Sequence, residues 1–141
     1  MLQDIRARFS DAQHSTNSAA STDIIDTLAG GDSYEGAWFV ALVDTTATSG
    51  GNATETFQLQ TAETSDFTGP TAATLIQSAA YPVADLVAGK FFAARVPPGA
   101  KRYLRGYLVN GTAVLTAGKF DMFVAKDIDI EINRRKMLSA A

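Results

Sequence analysis

Residues 91–124, FFAARVPPGAKRYLRGYLVNGTAVLTAGKFDMFV, read as β-strands divided by turn signals. The first divider is Pro97-Pro98-Gly99. The second is Asn110-Gly111, a dipeptide that supplies the positive φ a short hairpin turn needs. The last strand is entered through Ala117-Gly118-Lys119. The spacing predicts strands over 91–96, 103–109, 114–116 and 120–124, and it sets the fold class as all-β.

The rest of the chain agrees. Residues 38–44, WFVALVD, are apolar on both faces, which suits a central strand covered on both sides. Residues 54–61, TETFQLQT, alternate: Phe57 and Leu59 point one way, and Thr56, Gln58 and Gln60 the other, so this strand has one wet face. Ile24-Ile25 mark a first strand over 22–27, and Leu75-Ile76 a weaker one over 71–78. Gly30-Gly31-Asp32 is a break, and residues 82–89 are a connection with room for one helical turn. About eight short strands at these spacings predict an antiparallel β-sandwich of jelly-roll kind, with extended N- and C-terminal arms. The expected organisation is an N-terminal arm over 1–20, the sandwich over 21–124 and a C-terminal strand or tail over 125–141. The expected core is Trp38, Val40, Phe57, Leu59, Phe91, Val96, Leu104 and Phe120.

Composition narrows the function classes. At 141 residues, the chain suits one domain with its own core. It has no Cys, so disulfides and thiolate metal sites are excluded, and one His, His14, cannot build a His-based zinc site. A net charge of −3 gives no reason to expect nucleic acid as the main partner. No apolar run reaches membrane-spanning length and the N-terminus lacks a signal peptide's apolar core, so the expectation is folding in the cytoplasm that makes the chain, with no membrane partner.

No motif carries catalysis. There is no GxSxG, Walker loop, HExxH or dinucleotide fingerprint. Asp127, Asp129 and Glu131 share one edge of an extended segment and read as a solvated acidic edge rather than paired catalytic carboxylates. Lys101, Arg102 and Arg105 lie among Tyr103 and Tyr107. Cations among aromatics can bind single strands or sugars, but the plainer reading is packed tyrosines with cations on a loop and a sheet edge. The expectation is a protein without catalytic, cofactor-binding or metal-binding residues, and with no cofactor.

The two ends differ from the middle. Leu2, Ile5 and Phe9 stand at one-face helical spacing with Arg6 and Arg8 between them. Ile128, Ile130 and Ile132 alternate with the acidic residues and are followed by Arg134, Arg135 and Lys136. Each end either packs on its own domain or reaches a neighbour. All eleven of these apolar and basic residues are candidate inter-subunit contacts.

An ordered set of short segments resembles a known family. It comprises Phe9-Ser10-Asp11-Ala12-Gln13, Ser21-Thr22-Asp23-Ile24-Ile25-Asp26 and Phe57-Gln58-Leu59-Gln60-Thr61-Ala62 before Phe67-Thr68-Gly69-Pro70. It continues with Arg95-Val96-Pro97-Pro98-Gly99-Ala100-Lys101-Arg102-Tyr103-Leu104-Arg105 and Thr116-Ala117-Gly118-Lys119-Phe120. Together they resemble the Bbp16-type capsid cement proteins of tailed bacteriophages. No one segment is chemically unique, and the resemblance does not extend past Val124. It implies a jelly-roll virion protein on the outer capsid surface, whose partners are a major capsid protein of HK97-like fold and copies of itself, as a dimer or trimer. A phage-associated β-sandwich that binds a receptor or carbohydrate is the alternative, and it predicts exposed aromatics beside polar groups in one cleft.

Overall fold

The computed structural model describes residues 8–14, 17–27, 37–68 and 72–125. These form the strands β1 (Arg8–His14), β2 (Ala19–Asp26), β3 (Trp38–Thr48), β4 (Thr54–Ala62), β5 (Ala73–Gln77), β6 (Tyr81–Pro82), β7 (Phe91–Arg95), β8 (Tyr103–Gly111) and β9 (Ala117–Ala125), with one 3-10 turn at Val83–Asp85. A four-stranded sheet has the order β1-β9-β3-β7. A five-stranded sheet has the order β2-β8-β4-β5, with β6 pairing β4.

The pairings are nested about the middle of the chain. β4 pairs β5, β3 pairs β7, β2 pairs β8 and β1 pairs β9, all antiparallel. Folding that long double strand over brings β9 beside β3 and β8 beside β4, which closes the two sheets into a sandwich. This is the jelly roll that the spacing of the strands predicts. Its core is lined by Phe9, Phe39, Phe57, Leu59, Leu104, Leu108, Phe120 and Met122, all at most 1% exposed. Phe57 from one sheet meets Phe120 from the other edge-on, at 5.7 Å between ring centroids.

Several expectations are corrected. Residues 8–14 are a strand and not part of a helical turn. In it Phe9 alternates inward and packs 6.1 Å from Phe39, so it is part of this domain's own core rather than a contact offered to a neighbour. Apolar residues at three- and four-residue spacing are too few here to outweigh backbone pairing with β9. The expected arm over 1–20 therefore includes β1 and the start of β2, and Ala125, placed in the tail, ends β9. Leu2, Ile5, Arg6, Ile128, Ile130, Ile132, Arg134, Arg135 and Lys136 lie outside the described residues. Arg8 pairs with Asp11 at 3.2 Å.

Trp38 and Phe91 do not belong to the core between the sheets. In β3 it is Phe39, Ala41 and Val43 that face inward, so Trp38 and Val40 lie on the outer side of the four-stranded sheet. There Val40, Phe123 and Ala125 form a second buried cluster with Trp38 and Ala93 against it, and the Arg95 guanidinium stands 4.8 Å from the Trp38 ring. Phe91 is 37% exposed. The Asn110-Gly111 dipeptide is not a hairpin turn either. β8 runs through Gly111, and the positive φ falls at Thr112 (70°). Residues 112–116 then cross from one sheet to the other, so 114–116 is no strand. Leu115 instead plugs the end of the sandwich, 1% exposed, and the Thr116 N–H donates to the Thr48 carbonyl.

Gly118 is required where the β9–β3 register slips. Its φ is +143°, and a Cβ there would stand 3.1 Å from the Ala47 Cβ and 3.2 Å from its Cα. Gly118→Ala is expected to cost about 1–3 kcal/mol in urea unfolding, since a strained backbone and a fixed neighbour act together. An unchanged midpoint would show that β9 reaches its register without that conformation.

Candidate functional site

The outer face of the five-stranded sheet gathers the groups with most chemical character. Strand alternation places Leu104, Gly106 and Leu108 of β8 inward, so Tyr103, Arg105 and Tyr107 face out. Gly106 makes room for the other sheet: a Cβ there would fall 2.7 Å from the Met122 sulfur. In β4 the same alternation turns Gln58 and Gln60 outward, as the wet face of TETFQLQT predicts.

These side chains form a directed chain of hydrogen bonds across three strands. The Gln58 Nε2 donates to Gln77 Oε1 at 2.7 Å, Gln60 Nε2 to Gln58 Oε1 at 2.9 Å, and Arg105 Nε to Gln60 Oε1 at 2.8 Å. The Arg105 guanidinium lies 4.3 Å from the centroid of the Phe67 ring and 5.1 Å from that of Tyr107, within cation–π range of both. Burial lowers its pKa from the ordinary arginine value, with Tyr107 opposing, and the group stays charged.

Phe67 reaches this position through a strained loop. Its φ is +55°, unusual for a bulky side chain. Asp66 Oδ1 accepts from the Thr64 hydroxyl at 2.8 Å and from the Thr68 N–H at 3.1 Å, and these bonds hold its carboxylate below the usual pKa. The Phe67 N–H donates to the Thr64 carbonyl. Beside Arg105 a pocket of about 260 Å³ is lined by Gln60, Phe67, Ala72, Ala73, Thr74 and Arg105.

The other cations of this region are paired. Arg102 grips Asp26 in a fork, Nε to Oδ1 at 2.9 Å and Nη2 to Oδ2 at 3.1 Å, which raises the Arg102 pKa. Lys101 Nζ stands 4.0 Å from Glu63. The expectation that Tyr103 and Tyr107 pack while the cations decorate a loop and an edge is therefore half met. Lys101 and Arg102 are loop cations, whereas Arg105 is clamped on the sheet face between rings.

One group escapes a reading by residue type. Glu55 is fully buried, in register with Asn110 on β8 and Tyr81 on β6, and burial raises its pKa to about 7 against a weak opposing bond from Asn110. Its Oε1 has no hydrogen-bond partner. The signal was present in the sequence: Glu55 shares its strand face with Phe57 and Leu59.

Among the described residues no helix is long and apolar enough to cross a membrane, and no group of three or more His, Cys, Asp or Glu could hold a metal ion. No curated protein matches the chain. A family model, Bbp16, matches residues 9–124, from the start of the core in β1 almost to the end of β9. Since that match takes in nearly all of the jelly roll and most of the chain, this protein is a member of the phage-related Bbp16 family.

Proposed function

We propose that the protein is a virion structural protein, a cement or decoration protein that binds the outer surface of the phage head and clamps neighbouring major capsid protein subunits. The observation that carries this reading is the family match over 9–124. The physical logic supports it. A shell packed with DNA is pushed apart at its seams, and a small rigid sandwich that bridges a seam adds contact area without chemistry. Several modest contacts become strong together, because each further one is effectively intramolecular. The protein acts as a homodimer or homotrimer on a shell of HK97-like fold, with no enzymatic step. The segments before Arg8 and after Ala125 supply apolar residues and cations for neighbours.

The test is composition and occupancy of purified capsids. The expected result is this chain in copy number near that of the shell protein, with each copy touching another. Removal of residues 126–141 should leave the sandwich folded and weaken self-association or capsid retention. Unfolding of that truncated chain would place the tail in the domain's own stability, and undiminished decoration would deny it an assembly role.

A receptor- or carbohydrate-binding module is the second reading. The half-buried Tyr103 and Tyr107 beside Arg105 and the glutamines favour it, since stacking aromatics with polar neighbours is how a sandwich face holds a sugar. Location at a tail tip rather than on the head, with glycan binding, would select it.

A further inference from the structure

Arg105 differs from the cations around it. Lys101 and Arg102 each have a carboxylate within 4.0 Å, whereas among the described residues none lies that close to the Arg105 guanidinium. Two rings and one amide oxygen hold it instead. With Nε committed to Gln60, the remaining donors of the planar fork are its terminal nitrogens. The glutamine chain and the two rings fix the guanidinium in place, so little conformational freedom is left to lose on binding. The left-handed Phe67 backbone is a second sign of a built site: a strained residue sits against the guanidinium and lines the same pocket.

The pocket also meets a strand edge. Ala73 and Thr74 line it and belong to β5, the last strand of the order β2-β8-β4-β5. Among the described residues no strand pairs with the outer side of β5. β4 lies between β5 and the β8 strand that carries Arg105, so the pocket opens on the sheet face, inboard of that edge.

We propose that this pocket binds the carboxylate of an Asp or Glu side chain carried on a segment of a partner protein that lies across the outer face of β4 and β5, with Arg105 taking the carboxylate through its guanidinium fork. Naming the shell protein as that partner rests on the cement reading; the chemistry of the pocket does not.

The test uses the isotopically labelled full chain and three probes: a blocked pentapeptide of alternating valine and threonine with a central glutamate, its glutamine counterpart, and sodium glucuronate. The glutamate peptide is expected to shift the Arg105 Nε–H and the Ala73 and Thr74 amides saturably. The glutamine peptide should bind about tenfold more weakly, as loss of a charge-assisted pair implies. Arg105→Gln should abolish that preference, and Arg105→Lys, which keeps charge without the fork, should recover only part of it. Urea midpoints of both variants check folding, and the comparison of peptides on the unaltered chain stands if either fails to fold. Equal affinity for both peptides, or no shift at Arg105, overturns the proposal. Glucuronate binding as tightly as the peptide with the β5 amides unmoved overturns it in favour of a sugar-acid site. If the peptide results hold but Arg105→Gln decorates capsids as tightly as the unaltered chain, the pocket stands and the shell protein is rejected as its partner.

Discussion

Phe57→Ala is expected to lower unfolding stability by about 3–5 kcal/mol, the cost of truncating a large buried aromatic. Phe57 is 1% exposed and spans the sandwich from β4, with Phe120 at 5.7 Å and Tyr81 at 6.0 Å between centroids. Its backbone N–H also donates to the Ser78 hydroxyl, so the strand stays anchored and relaxes little into the cavity. Trp38→Ala is expected to cost less although Trp is larger, because Trp38 lies on the outer side of its sheet and is only partly buried. Urea unfolding of the two variants gives the order directly. A cost below about 1 kcal/mol for Phe57→Ala, or a larger one for Trp38→Ala, would mean that the principal core is not between the sheets.

The second large effect is a dependence on pH. Glu55 is fully buried with its pKa raised to about 7, from an ordinary 4.5. Between those values the folded state holds a proton that the unfolded chain has released. The stability associated with Glu55 is therefore fully present below about pH 4.5, falls as pH rises through 7, and is level above that. The total loss is about 3 kcal/mol, from the difference between the two pKa values at 1.36 kcal/mol per unit. Glu55→Gln cannot ionise and keeps an amide opposite Asn110. It is expected to match the unaltered protein near pH 4.5 and to exceed it by up to about 3 kcal/mol at pH 8. Unfolding free energies at both pH values decide it. Parallel pH profiles for the two proteins would show that Glu55 ionises in the folded state as readily as in the unfolded chain.

The outward face of β4 could be read from TETFQLQT because glutamines and threonines alternate with Phe57 and Leu59, and a strand turns successive side chains to opposite faces. The same rule applied to Glu55 would have flagged the buried carboxyl. It fails for WFVALVD, where both faces are apolar and alternation does not say which one looks inward; Phe39 and Trp38 were separable only once β9 and β7 flanked the strand. The Asn110-Gly111 signal misled for a related reason. Turn chemistry describes a few residues, and whether the next strand returns to the same sheet depends on partners far away.

Local pattern determined the all-β class, the strand spacing that a jelly roll needs, and the ordered segments that mark the family, because each rests on residues adjacent in the chain. The candidate site rests on distance. Gln60 and Arg105 are 45 positions apart, and they meet because β4 and β8 pair in the register Gln60↔Arg105. Phe67 reaches the same guanidinium through a loop with its backbone at positive φ. That Arg105 is held by rings and an amide while its neighbours hold carboxylates was decided by the tertiary structure alone. Strand register selects which side chains share a face, and no local sequence pattern specifies register between strands so far apart.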